Sequence, residues 1–175
     1  MPPSNNNMVQ ADTNLPADLE ADVLRVAIVT SEYHAEVTKA LKDAAEAAYQ
    51  AAGGRPDRLI SIAAPGTFEL TAICRGLVVD RGHRTPDAVV ALGCVIAGET
   101  RHDRYICESV SRGLTDLTIQ TGVPIAFGVL TCETMAQALA RAGGEKGNKG
   151  LEAMQAAIRT AHIVRGLDSG GVPER

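Results

Sequence analysis

Ala88-Val-Val-Ala-Leu-Gly-Cys-Val-Ile96 decides the fold. Every residue in this run is apolar or glycine, so it has no polar face to turn toward water. It is far shorter than the ~18 apolar residues that span a bilayer. Its β-branched content and its length suit a strand buried on both faces, the situation of an inner strand in a parallel sheet covered by helices.

Three further segments have the same character: Leu24-Arg-Val-Ala-Ile-Val-Thr30, Leu59-Ile-Ser-Ile-Ala63 and Pro124-Ile-Ala-Phe-Gly-Val-Leu130. Helical spacing follows each strand. It covers residues 37–52, ending at Gly53-Gly54, then about 68–79 after a Pro65-Gly66 turn, and about 100–120 after Gly98. After the last strand it covers 135–142 and 148–164, with a Gly-rich, Lys-bearing loop between them. Strands that each feed a helix imply parallel neighbours joined by right-handed crossovers. The predicted class is α/β, a three-layer αβα sandwich of the flavodoxin-like kind on a four-stranded parallel sheet. One domain over residues 22–166 carries it. Residues 1–21, rich in Asn, Pro, Asp and Ala, are predicted to be a disordered tail, and residues 167–175 a second, frayed one.

Composition narrows the function. With 175 residues, 45% hydrophobic and 22% charged, the chain has the makings of one globular core, which excludes global disorder. A net charge of −4 gives no general attraction to polyanions, so no nucleic-acid partner is expected. No apolar run reaches membrane-spanning length, and the N-terminus lacks the pattern of a secretory signal. Cys74, Cys94, Cys107 and Cys132 form no C-x-x-C pair, and no His/Cys/Asp trio has metal-ligand spacing. The expectation is a cytoplasmic protein with reduced thiols, no metal and no membrane contact. There is no Trp, and the aromatics are Tyr33, Tyr49, Phe68, Tyr105 and Phe127. Aliphatic side chains must fill nearly all the core, so an aromatic at a strand end needs a reason beyond packing.

Ligands of open parallel sheets sit beyond the carboxyl ends of the strands, which directs attention to four loops. The first holds Tyr33 and His34; the tyrosine can stack on a planar heterocycle or simply cover the sheet edge. In Pro65-Gly66-Thr67-Phe68-Glu69, Gly66 permits close backbone approach, while the Thr67 and Phe68 amides and the Glu69 carboxylate can bind hydroxyl groups. A structural N-cap with an acidic first turn accounts for the same residues. The third loop, Gly98-Glu99-Thr100-Arg101-His102, offers free amides at a helix start, a ready anion site. The positive helix end disfavours imidazolium at His102 and a bound phosphate favours it. Those opposed pulls suit proton exchange near neutral pH, although a solvated surface histidine has the same sequence.

The last region runs from Arg141 through Gly147-Asn148-Lys149-Gly150 to Glu152 and gathers a guanidinium and two ammonium groups around a helix start. It is no P-loop: glycine does not precede Lys149, no Ser or Thr follows it, and the run continues from a helix. A basic interhelical loop is its plain alternative. His83 and His162 read as solvated or packing residues.

Taken together, these segments resemble the lumazine synthase family from about residue 23 to 165. The resemblance is carried by Pro65-Gly66-Thr67-Phe68-Glu69, by Gly93-Cys94-Val95-Ile96-Ala97-Gly98-Glu99-Thr100-Arg101-His102, by Phe127-Gly128-Val129-Leu130-Thr131, and by Ala140-Arg141-Ala142-Gly143 with Gly147-Asn148-Lys149-Gly150. It implies a transferase of riboflavin biosynthesis that joins 5-amino-6-(D-ribitylamino)uracil to 3,4-dihydroxy-2-butanone 4-phosphate without a cofactor. It further implies that Tyr33 stacks on the pyrimidine. Gly66, Thr67, Phe68 and Glu69 would hold the ribityl chain, and Cys94, Val95 and Ile96 would meet the ring. The Glu99 and Thr100 amides would hold phosphate, with His102 as the catalytic proton carrier. Phe127, Arg141 and Lys149 would come from a neighbouring subunit, with Glu152 as the acid that orients Arg141.

A site shared in this way implies a homo-oligomer. The family forms pentamers, and a short Gly143 to Gly150 connection inclines members toward an icosahedral shell of sixty subunits; riboflavin synthase is a further partner to consider. An N-terminal strand pairing with a neighbour's sheet edge is a related expectation. The chain departs from the family pattern at Ala97, where Arg or Lys is common, at His34, where Asn is usual, and in the order Asp103-Arg104-Tyr105. Two alternatives stand beside this reading. One is a non-catalytic lumazine- or flavin-binding relative. The other is a plain FMN-binding protein of the same fold, opposed by the lack of Trp and of a Ser/Thr-rich loop after the first strand.

Overall fold

The computed structural model describes residues 20–79 and 85–170. The sheet is β1 (Val26–Ser31), β2 (Leu59–Ala64), β3 (Ala88–Ile96) and β4 (Ile125–Cys132), all parallel, in the order β2-β1-β3-β4. The helices are α1 (Ala35–Ala51), α2 (Leu70–Val78), α3 (His102–Thr121), α4 (Met135–Arg141) and α5 (Lys149–Asp168). This is the predicted α/β sandwich. The inner strands β1 and β3 are almost wholly buried, as their unbroken apolar runs require.

Alternate residues of each strand feed two cores. Val26, Ile28, Val90, Leu92 and Cys94 pack with α1, α4 and α5, whereas Ala27, Val29, Val89, Ala91 and Val95 pack with α2 and α3. Tyr49 is the buried aromatic; its hydroxyl donates to the Leu24 carbonyl at 2.7 Å. Tyr33, Phe68, Tyr105 and Phe127 are all exposed. That division fits the argument that aliphatic residues fill the core and that the strand-end aromatics serve something else.

Three boundaries differ from the predicted ones, each for a local reason. The segment after β2 stays in turn conformation through Glu69, so Phe68 precedes α2 rather than opening it. Thr100 likewise precedes α3, whose first residue is His102. Residues 142–148 form a small antiparallel hairpin, β5 (Ala142–Gly144) and β6 (Gly147–Asn148), in place of an open loop. Positive φ at Gly143 and Gly147 allows that tight reversal.

Ala21 is fully buried and its amide donates to the Ala52 carbonyl at 2.7 Å, while α5 continues through Leu167 to Asp168. His162, expected to be solvated or packing, is half-buried, with Nε2 2.6 Å from the Glu20 carbonyl oxygen. His83, the first nineteen residues and residues 171–175 lie outside the described residues, as do the expectations made for them, the N-terminal strand included.

Asn148 fixes how α5 begins. Its Oδ1 accepts from the Gly150 and Leu151 amides at 2.8 and 3.4 Å, an N-cap that satisfies two free donors. Its Nδ2 donates to the Ala40 carbonyl in α1 at 3.1 Å, so the same side chain ties hairpin, α5 and α1 together. Among the described residues no helix is long and apolar enough to cross a membrane.

Candidate active site

The turns after β1, β2 and β3 open onto one cavity of about 470 Å³. The turn after β1 supplies Tyr33 and His34, and the turn after β2 supplies Gly66, Thr67, Phe68 and Glu69. Cys94, Val95 and Ile96 come from the end of β3, with Gly98, Thr100, His102 and Asp103 from the segment that starts α3. Glu99 is exposed in that segment but does not line the cavity.

Local chemistry explains several of these positions. Tyr33 is 63% exposed; its amide donates to Ser31 Oγ at 3.2 Å, which fixes the backbone where β1 ends. Glu69 stands at the N-cap of α2 in right-handed conformation, and its side chain makes no capping hydrogen bond. A capping hydrogen bond therefore does not account for that acid, although its charge still suits the positive end of α2. A Cβ at position 66 would come within 2.7 Å of Glu69 Oε2, so the glycine leaves room for the carboxylate to lie over the turn. His102 is exposed at the first helical position of α3, and no side chain caps that helix start. The first amides of a helix have no intrahelical acceptor, so this uncapped start is suited to an anion.

Burial pushes Cys94 up to about 11 and Cys74 up to about 12, so both stay neutral at physiological pH. Burial also raises Cys132, against a lowering influence from Arg141.

The remaining expected residues lie elsewhere. Arg141, Lys149 and Glu152 join Phe127 along β4, one of the two outer strands of the sheet, in a second cavity of about 400 Å³. Thr134 opens α4 by accepting from the Gln137 amide at 3.2 Å, and Gln137 Oε1 returns to the Glu133 amide at 2.9 Å. That reciprocal cap sets the short helix whose last residue is Arg141. Phe127 is 45% exposed on the strand edge. One chain thus brings Tyr33, Glu69 and His102 together and brings Phe127, Arg141 and Lys149 together, but it does not merge the two groups.

One expected contact is corrected. Glu152 pairs with Lys149, Oε2 to Nζ 2.6 Å, and not with Arg141. The reason is helical geometry: the two residues are three apart in the first turn of α5 and share a face. Arg141 turns back on its own helix, donating from Nη1 to the Gln137 carbonyl at 3.0 Å.

Four residues lining the first cavity were not among the expected site residues: His34 beside Tyr33, Gly98, Asp103 and Ile106. His34, Gly98 and Asp103 are each adjacent in sequence to an expected residue, and Ile106 stands one helical turn after His102, which was the available signal.

The family model described as 6,7-dimethyl-8-ribityllumazine synthase matches residues 23–165. A protein of that name from Streptomyces coelicolor is 43% identical over 146 residues, covering 82% of this chain and 87% of its own. Another from Kineococcus radiotolerans is 40% identical over 161 residues, covering 91% and 96%. A third, from Porphyromonas gingivalis, is 43% identical over 142 residues, covering 81% and 86%.

Proposed function

The chain belongs to the 6,7-dimethyl-8-ribityllumazine synthase family, and from that premise we propose how its two cavities carry out the family's step of riboflavin biosynthesis. The reaction is a transferase condensation of 5-amino-6-(D-ribitylamino)uracil with 3,4-dihydroxy-2-butanone 4-phosphate, needing neither cofactor nor metal. The aromatic amine adds to the ketone and water leaves, giving an imine. Loss of a proton and expulsion of phosphate follow, and the ribityl-bearing nitrogen closes the second ring with loss of another water. Each step moves protons and one expels an anion, so the demand is for an acid–base group beside an anion grip.

The first cavity meets the first half of that demand. Tyr33 stacks on the pyrimidine, and Glu69 with the Thr67 and Phe68 backbone binds the ribityl hydroxyls. Val95 and Ile96 border the ring beside Cys94. The amides around Glu99 and Thr100 hold phosphate, and His102 carries protons. Phe127, Arg141 and Lys149 reach the same substrates from an adjoining protomer: Arg141 grips phosphate, Lys149 meets a ring carbonyl, and Glu152 steadies Lys149. The observation that carries this reading is the separation of His102 from the Arg141–Lys149 group onto two open cavities of one chain. Neither cavity alone holds both a proton carrier and a guanidinium.

A homo-oligomer follows, with the pentamer as its unit and the short β5–β6 connection favouring the sixty-subunit shell; riboflavin synthase would take the product onward in the cytoplasm. Mixing the assembled protein with both substrates and following the lumazine chromophore tests the activity. No gain over the uncatalysed rate overturns it. Arg141→Ala should weaken binding of the sugar phosphate by ~1.5–3 kcal/mol, the worth of a charge-assisted hydrogen bond. That loss appears as a raised KM for the sugar phosphate, with the KM of the pyrimidine little changed.

A further inference from the structure

His34 is the residue other than glycine that adopts positive φ among the described residues, at φ 57° and ψ 51°. Side chains rarely tolerate that conformation, and it clusters at functional sites when the surroundings hold it in place. Here the surroundings do: the His34 carbonyl accepts the Val37 amide at 2.9 Å and the Thr38 amide at 3.1 Å, locking the start of α1. Glycine or asparagine would meet the backbone requirement at least as well, so the turn does not explain the imidazole.

The ring has a contact that does. It meets Tyr33 edge-on, with centroids 4.6 Å apart and planes at 70°, and both residues line the first cavity. Tyr33 is otherwise 63% exposed, and a tyrosine so open to solvent has alternative rotamers of similar energy. An edge-to-face neighbour favours one of them.

We propose that His34 is a positioning residue: its strained backbone sets the imidazole against the Tyr33 ring in a T-shaped contact and so orders the tyrosine on which the pyrimidine stacks. The idea rests on the proposed stacking role of Tyr33. His34 need not touch substrate; it lowers the ordering cost that binding would otherwise bear.

A double-mutant cycle on the assembled enzyme tests this, using Tyr33→Ala, His34→Asn and the pair together. Asparagine suits both the left-handed backbone and a helix N-cap, so thermal stability should stay level and report that the fold is intact. The readout is the dissociation constant of the ribitylaminouracil, with the KM of the sugar phosphate as control. His34→Asn should weaken pyrimidine binding roughly three- to tenfold, the scale of one aromatic pair, and leave the control unchanged. With Tyr33 already alanine, the same substitution should add nothing. Full additivity in the double variant overturns the proposal, as does an inert His34→Asn beside a weakened Tyr33→Ala. An inert Tyr33→Ala overturns the stacking role itself, and this inference with it.

Discussion

His102→Ala should lower kcat by roughly 10²–10⁴, the usual contribution of a positioned acid–base group, while the pyrimidine still binds. The size follows from what else is at hand. Burial keeps Cys94 protonated, so the cavity has no thiolate to take over. In the proposed arrangement Glu69 is engaged with the ribityl chain, and Asp103 projects from the next position of α3, about 100° around the helix from His102. Binding survives because Tyr33, Glu69 and the backbone at Val95 and Ile96 are untouched. Steady-state rates and the pyrimidine dissociation constant, measured on the same preparation, separate the two effects. A loss of affinity as large as the loss of turnover would instead mean that His102 only holds substrate.

Gly150→Ala should destabilise the fold by ~3 kcal/mol or more, the upper range of overpacking. At this position α5 runs directly against the backbone of α1. A Cβ would overlap the Leu41 carbonyl oxygen and lie 2.6 Å from its carbon. The obstacle is main chain inside a helix, so no rotamer change relieves it. Backing α5 away would break the Asn148 bond to the Ala40 carbonyl and open the core around Met154, Ala157 and Ile158. It would also carry off Lys149 and Glu152, which occupy the first turn of the same helix. Denaturant titration checks the stability loss through a lowered midpoint. An unchanged midpoint would mean that α1 and α5 do not approach so closely.

The layers of this fold were legible in the chain because burial leaves a plain imprint. The run from Ala88 to Ile96 has one physical solution, and it occupies an inner strand next to β1. Element ends were less legible. Whether Phe68 or Leu70 opens α2, and Thr100 or His102 opens α3, turns on a few backbone hydrogen bonds that hydrophobic spacing does not encode. The β5–β6 hairpin escaped for a related reason, since three- and two-residue strands carry no periodicity. For the site, residue type and loop position drew attention to Tyr33, Glu69 and His102, which line one cavity. They were not enough to pair Glu152, because both Lys149 and Arg141 are cations within its reach in sequence. His34 looked like a mere departure from the family's Asn, and its contact with Tyr33 depends on a backbone angle that the sequence does not declare.

The central claim is that a working site needs His102 from one protomer and Arg141 from the next. Co-expressing His102→Ala and Arg141→Ala chains, so that they assemble together, tests it most directly. Assayed with the sugar phosphate well below its raised KM, either variant alone shows little activity, because every site lacks one of the two groups. In a random mixture, an Arg141→Ala chain that keeps His102 will sit beside a His102→Ala chain that keeps Arg141 at roughly a quarter of the junctions. Activity should therefore return to about that fraction of the unsubstituted enzyme. Mixed assemblies as inactive as the separate variants would contradict the account, because sites built within single chains can never be rescued by a neighbour.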